Sequence, residues 1–125
     1  MPLPGRFMPS PDPHDHLPLT HLTYHVLLAL ADADRHGYGI IKEVESRTEG
    51  RMELETGTLY AGLKRMKDDG FIESVPAASR PPGEDRRRRT YRLTPVGRRV
   101  LTAESERLAK VLAVAQEKHV LAGGG

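Results

Sequence analysis

The feature that most constrains this fold is a long amphipathic segment near the C-terminus. Thr94 is a good helix cap and Pro95 suits the first position of a helix, so the pattern predicts a helix over residues 95–121. A helix of about 25 residues is roughly 38 Å long, and its far half needs a second surface to bury against. The simplest such surface is the same helix of a second chain, which predicts a homodimer. The predicted dimerisation stripe comprises Val100, Leu101, Leu108, Val111, Leu112 and Ala115.

The length and composition of the chain indicate one small domain. The chain has 125 residues, and six prolines within residues 1–18 predict a disordered tail there. Residues 122–125 are expected to form a flexible end. The chain contains no cysteine, which excludes disulfides and thiolate metal sites. It also contains no apolar run of transmembrane length and no signal-peptide pattern, so we expect a soluble, cytoplasmic protein without a membrane partner.

Three shorter helical patterns and two strand patterns precede the long helix. Helices are predicted over residues 19–33, 38–48 and 56–69, with Thr56 as the cap of the third and Gly70 as its stop. Strands are predicted over residues 71–75 and 90–94, joined by a long loop rich in proline and arginine. This order predicts a mainly α (α+β) fold, in which residues 19–94 form a winged helix-turn-helix DNA-binding domain.

The third helix carries a candidate reading face. Its buried stripe is Leu59, Leu63 and Met66, and the opposite side mixes small, hydroxyl and basic residues. Threonine can donate or accept hydrogen bonds, alanine packs on a thymine methyl, and lysine donates to guanine or phosphate. An ordinary solvated helix face is the alternative interpretation. The candidate DNA-binding residues on this helix are Thr58, Tyr60, Ala61, Lys64 and Arg65.

A local block of arginines supports the DNA-binding interpretation. The net charge is only +2, yet seven arginines lie within 14 residues that contain no acid. Four are consecutive and fall at the tip of the predicted ribbon, where they would reach the DNA backbone or minor groove. Read alone, the block is equally consistent with a solvated loop. The four candidate residues are Arg86, Arg87, Arg88 and Arg89.

Three segments resemble, in order and spacing, the PadR family of bacterial transcriptional regulators. They are HGYGIIKEVE from His36, GTLYAGLKRMKDDGFIES from Gly57 and RTYRLTPVGRRVL from Arg89. The resemblance covers about residues 22–101, which is most of the part of the chain expected to be ordered. The positions that match the family pattern are His36, Gly37 and Tyr38, then Gly57, Thr58, Leu59 and Tyr60, and finally Tyr91, Leu93, Thr94 and Gly97.

The resemblance implies a homodimeric winged-helix repressor of the short form, with a single C-terminal dimerisation helix. It also implies a small-molecule effector, because many members respond to an aromatic molecule or drug. The chain departs from the family at Ala61, where a proline often follows the tyrosine, and at Glu55 and Thr56, where a serine–proline pair is common. Residues 96–125 contain no Phe, Tyr or Trp against which a flat drug could stack.

Other constellations carry weaker signals. The HDH run from His14 lacks further ligands, and the His21–His25 spacing falls on a helix whose apolar stripe needs burial, so no metal or cofactor is expected. Tyr38 is expected to be a core or interhelix residue. No nucleophile–base set or phosphate-binding glycine loop is present, so an enzyme is not expected. The alternative function is a winged-helix protein-interaction or effector-sensing module without DNA binding.

Overall fold

The computed structural model describes residues 10–75 and 89–122, which form a helical domain with a small sheet. The elements are α1 (His21–Ala29), β1 (Arg35–His36), α2 (Gly37–Arg47), α3 (Thr56–Asp68), β2 (Ile72–Ser74), β3 (Thr90–Leu93) and α4 (Pro95–Glu117). The strands make a three-stranded antiparallel sheet in the order β1–β3–β2. This is a winged helix-turn-helix, as predicted: α2 and α3 form the helix-turn-helix, and β2 and β3 form the base of the wing.

One apolar core joins all four helices and the sheet. Each helix contributes the residues that recur every three or four positions, so one stripe of each faces inward. Phe71 and Ile72 return the chain to the core directly after Gly70, whose φ of 81° permits the sharp exit from α3. The principal core residues are Val26, Leu27, Ile40, Val44, Leu59, Leu63, Met66, Phe71, Ile72, Tyr91, Val100 and Leu101.

The predicted elements are correct in kind, and their bounds differ by a few residues. The helix cap of α3 is Glu55 rather than Thr56, and α1 is shorter than the pattern over residues 19–33. The short strand β1 was not predicted. It pairs Arg35 with Tyr91 and His36 with Thr90, and two residues are too few to show a strand period in sequence.

The prediction of a disordered tail is wrong for residues 10–18. Asp12 caps a 3-10 helix at Pro13–His16 by accepting from the backbone N–H of His14 at 3.0 Å. This turn lies against α4, and the His16 ring contacts the Phe71 ring edge-on at 5.0 Å between centroids. Proline here fixes the first position of the turn instead of preventing structure. Residues 1–9 and 123–125 lie outside the described part of the chain.

A buried carboxylate fastens this segment to α4. Glu104 is 1% exposed, and its Oε2 accepts from the backbone N–H of Leu19 at 2.7 Å. Arg107 donates to both carboxylate oxygens. The hydrogen bond from Arg107 is the main cause that lowers the pKa of Glu104, so the carboxylate is charged and paired. The segment before α1 is therefore part of the domain.

The two halves of α4 have different surroundings. Val100 and Leu101 are buried in the core of this same chain, because the first half of α4 packs on α1 and β3. Assigning these two residues to a dimer stripe was therefore incorrect, since their burial needs no partner. Leu108 and Ala115 are half-buried, whereas Val111 and Leu112 are 55% and 51% exposed. Among the described residues, no helix is long and apolar enough to cross a membrane.

The junction between β3 and α4 is fastened to the end of α3. Thr94 caps α4 by accepting from Gly97 N–H at 3.0 Å, and its hydroxyl donates to the Gly70 carbonyl at 2.6 Å. The Thr94 N–H also donates to the carbonyl of Phe71 at 3.0 Å. A Cβ on Gly97 would overlap that carbonyl oxygen and lie 2.8 Å from the carbonyl carbon. Only glycine allows α4 to approach this closely.

We expect Gly97→Ala to lower the free energy of unfolding by about 3 kcal/mol, the upper end for overpacking, because the obstructing atoms belong to the backbone. Gly39→Ala is the matched control. A Cβ there lies 3.6 Å from that of Arg35, an ordinary contact, so helix propensity should raise stability by up to about 1 kcal/mol. Denaturant unfolding at one fixed protein concentration measures both changes. Equal stability of the two variants would contradict the close approach at Gly97.

A histidine links α1 to α2. Arg47 donates to Nδ1 of His25 at 2.9 Å and also pairs with Glu43 at 3.6 Å. Burial lowers the pKa of His25, and the neighbouring charges of Arg47 and His21 lower it further. The folded state therefore favours the neutral imidazole, whose unprotonated Nδ1 is the acceptor.

Because the pKa of His25 is lower in the folded than in the unfolded chain, its contribution to stability is present above about pH 6.5 and is lost as the pH falls below that value. One proton gives a slope of at most about 1.4 kcal/mol per pH unit. His25→Asn retains an acceptor for Arg47 but cannot titrate. Unfolding curves between pH 5 and 7.5 should therefore show a flatter stability profile for this variant. Parallel profiles would mean that His25 does not carry the effect.

Candidate nucleic-acid interface

The exposed residues of α3 divide into two flanks. The buried stripe of Leu59, Leu63 and Met66 fixes the helix orientation. On one flank, Gly62 packs toward α1, where an added Cβ would lie 3.1 Å from Leu22. Thr58 and Arg65 lie one turn before and after Gly62 and share this flank. Tyr60 and Lys64 lie on the flank that faces the sheet, and exposed Ala61 lies between the flanks. The reading face predicted from the sequence therefore forms an exposed ridge along α3, with one flank toward α1 and the other toward the sheet.

The sheet-facing flank of α3 and strand β3 enclose a cleft of about 480 Å³. Three cationic side chains line it, Lys64 and Lys67 from α3 and Arg89 from the start of β3. Lys67 was not among the predicted site residues, although its spacing of three from Lys64 places it on the same flank. The other lining residues are Tyr60, Leu63, Asp68 and Tyr91.

Tyr60 has a supporting role as well as an exposed surface. An added Cβ on Gly37, at the start of α2, would lie 2.6 Å from the Tyr60 hydroxyl and 2.9 Å from the ring carbon that carries it. The ring therefore packs directly on the α2 backbone. Burial raises the pKa of Tyr91, the Arg89 charge offsets part of that rise, and Tyr60 adds to it. The Tyr91 phenol therefore remains a neutral hydrogen-bonding group at the cleft wall.

Lys64 is the cleft cation that forms an ion pair with another residue of the cleft lining. Its Nζ lies 3.4 Å from Oδ2 of Asp68, one helical turn further along α3. The two side chains are 81% and 65% exposed, so this i,i+4 pair contributes only a few tenths of a kcal/mol to stability. Among the residues that line this cleft, Asp68 is the one acid.

The arginines between Arg86 and Arg99 have different surroundings. Arg92 pairs with Glu73 on the neighbouring strand at 2.9 Å, and Arg98 donates to the Ala31 carbonyl at 2.8 Å. These two arginines fasten the fold. Arg89 is exposed and lines the cleft. The predicted tip residues Arg86, Arg87 and Arg88 lie outside the described residues.

The start of α2 presents a further aromatic–cation pair. Tyr38 is 59% exposed, so the expectation that it is a core or interhelix residue is wrong. The Nζ of Lys42 lies 5.3 Å from the Tyr38 ring centre, and a hydrogen bond with Tyr38 is the main cause that raises the pKa of Lys42. The signal that could have found this pair is the position of Tyr38, at the start of the first helix of a helix-turn-helix.

The histidines form no metal centre within the described residues, where no group of three or more potential ligands comes together. The rings of His21 and His25 stack at 6.0 Å between centroids, and His25 uses one ring nitrogen for Arg47. These two residues also line a second cleft of about 310 Å³ between α1 and α4. Its other lining residues are Leu19, Thr20, Tyr24, Glu104, Arg107 and Leu108.

Comparisons with known proteins agree with this geometry. The model of the transcriptional regulator PadR-like family matches residues 26–103. A transcriptional regulator from Mycobacterium tuberculosis is 36% identical over 87 residues, which are 70% of this chain and 75% of the relative. A PadR family transcription regulator from Clostridium difficile has a TM-score of 0.65 at 26% identity, covering 78% of this chain and 97% of that one. Bacillus subtilis PadR in complex with operator DNA has a TM-score of 0.57 at 24% identity, covering 69% of this chain and 46% of that one.

Proposed function

The chain belongs to the PadR-like family of transcriptional regulators, and we propose that it binds double-stranded DNA as a homodimer with α3 in the major groove. The observation that carries this proposal is the cleft beside α3, where three cations from two elements converge next to the exposed ridge of the helix. Cations that the fold needs for stability are paired, as Arg92 and Arg98 are. Lys67 and Arg89 line the cleft and are exposed, so a polyanion can reach them.

The dimensions of α3 suit a groove. Its 13 residues span about 20 Å, and its outer surface carries small or flexible side chains. In this arrangement Thr58, Ala61 and Lys64 meet base edges, while Arg65 reaches the backbone from the α1 side. Tyr60 is held against Gly37, so we assign it a phosphate contact through its hydroxyl rather than a base contact.

Two further surfaces contact the DNA backbone in this proposal. Lys67 and Arg89 bind phosphates along the wing side of α3, and Arg86, Arg87 and Arg88 extend that contact from the wing tip. Tyr38 and Lys42 at the start of α2 bind the backbone on the other side of the groove. The similarity in fold to Bacillus subtilis PadR, which was solved with operator DNA, supports this arrangement.

The outer half of α4 forms the dimer contact in this proposal. Leu108, Val111, Leu112 and Ala115 recur at helical spacing beyond the part of α4 that the chain's own core covers. Exposed apolar side chains in such a row favour burial against a symmetric copy. A dimer presents two α3 helices, which suits a DNA site with two half-sites.

The proposal also includes repression and relief by a small-molecule effector, which follow the family resemblance, and a cytoplasmic location, which suits a protein that binds chromosomal DNA. A dimer that covers a promoter excludes the transcription machinery. The cleft of about 310 Å³ between α1 and α4 lies beside the proposed dimer helix, where an occupant would alter how two copies meet. The competing function remains an interaction or effector-sensing module without DNA binding, and measurements of DNA binding separate the two.

Replacing both Lys67 and Arg89 by alanine should weaken binding to operator and random duplexes alike. If all four side chains of the dimer meet phosphate, the slope of log affinity against log salt should fall by about 3.6, at about 0.9 per phosphate. Between 50 and 200 mM salt, the parent should then lose about 150-fold more affinity than the variant. Fluorescence anisotropy with labelled duplexes of equal length measures both quantities.

The matched control replaces Lys110 and Lys118 by alanine, which removes the same charge from exposed positions near the far end of α4. This control should keep the parent's salt slope. Equal salt slopes for the parent and both double variants would show that the cleft does not contact the DNA. Failure of the parent to bind any duplex at 50 mM salt would favour the interaction module.

Replacing both Val111 and Leu112 by lysine should convert the dimer to a monomer, because desolvating unpaired charges costs several kcal/mol. Light scattering at micromolar concentration gives the mass directly. The control adds lysines at Ala109 and Ala113, which are exposed on the opposite side of α4, and should leave the dimer intact. A monomer mass for the parent protein would contradict the proposed assembly.

A further inference from the structure

The ion pair between Lys64 and Asp68 on the exposed side of α3 contains an acid, and phosphate binding does not explain why an acid lies there. Asp68 follows Leu59 by nine residues, or two and a half turns, so its carboxylate lies on the side of the helix opposite the core. On this side the proposed DNA partner approaches most closely. A carboxylate there repels phosphates, and the exposed pair with Lys64 adds little to stability.

Asp68 is surrounded by the cations of the cleft. Lys64, Lys67 and Arg89 all line the cleft with it, and a surface that only bound the DNA backbone would be stronger without the acid. Of these cations, Lys64 is the one within ion-pair distance of Asp68, at 3.4 Å. The pair therefore presents a donor and an acceptor side by side, held one helical turn apart.

A base-pair edge in the major groove can satisfy both groups at once. Guanine presents two neighbouring acceptors, N7 and O6, and its partner cytosine presents the N4 amino donor. O6 and N4 are adjacent because they share a Watson–Crick hydrogen bond. Lysine is a frequent partner of the guanine acceptors, and aspartate accepts from cytosine N4. An A·T pair instead places a single amino donor between two separated acceptors, which suits an ammonium group less well.

We propose that Lys64 and Asp68 act as one unit that reads a single G·C base pair in each half-site. This inference rests on the proposed function, since it requires α3 in the major groove. Lys64 donates to guanine and Asp68 accepts from cytosine, and their mutual ion pair favours side-chain positions close to each other before DNA arrives. The acid also discourages random sequences, where its charge meets no amino donor and opposes the backbone.

The test is a selection of binding sequences from a random duplex library with the parent, Asp68→Ala, Lys64→Ala and Asp69→Ala. Asp69 is the matched control, because it is the adjacent acid and it does not line the cleft. The parent should select a G·C pair at one position of each half-site. Exchanging that pair for A·T should weaken parent binding roughly 5- to 150-fold, the usual effect of one mismatched pair.

Asp68→Ala and Lys64→Ala should both lose the preference at that same position, while Asp69→Ala keeps it. Asp68→Ala should also bind random duplexes more tightly than the parent. The proposal is overturned if the parent prefers A·T there, if the two variants relax different positions, or if Asp68→Ala keeps every preference of the parent. If the parent enriches no duplex at all, the proposed DNA-binding function fails as well, which distinguishes the two results.

Discussion

The close contact between Gly97 and the Phe71 carbonyl fixes how α3 and α4 are arranged. Phe71 follows the glycine turn that ends α3, and Gly97 lies in the first turn of α4. Thr94 reinforces the contact, because it caps α4 and also donates to the Gly70 carbonyl at 2.6 Å. A shift of α4 therefore moves the end of α3 with it. In a dimer joined through α4, this contact would set the distance between the two reading helices.

Basic residues serve two separate purposes in this chain, and the groups that their side chains contact distinguish them. Arg35 donates to the Ala29 carbonyl at 2.7 Å and Arg98 to the Ala31 carbonyl at 2.8 Å, so both satisfy acceptors at the end of α1. Arg107 neutralises the buried Glu104. The cations of the α3–β3 cleft lie instead beside two tyrosines, and Asp68 is the one acid among the lining residues. A count of arginines in sequence mixes the two purposes, which is why the block from Arg86 to Arg99 looked like a single basic patch.

The sequence predicted the elements well where local chemistry determines them. Thr94 and Pro95 marked the start of α4, Gly70 marked the end of α3, and the stripe of Leu59, Leu63 and Met66 is buried as expected. The failures share a physical origin in tertiary packing. The two residues of β1 are a strand only because β3 lies beside them, and residues 10–18 are ordered by contact with α4 and Phe71. Periodicity on α4 could not show that Val100 and Leu101 are covered by the chain itself.

Within the candidate site, the sequence identified Tyr60, Lys64 and Arg89 but not the cleft that joins them, since it forms between α3 and β3. The central claim is that two α3 helices enter adjacent major grooves of one duplex. Dimethyl sulfate protection on a selected duplex tests it most directly, because the reagent methylates guanine N7 in the major groove. The account predicts two protected patches about 10 base pairs apart, one helical turn from centre to centre. Guanines that remain fully reactive under saturating protein, or one unpaired patch, would contradict it.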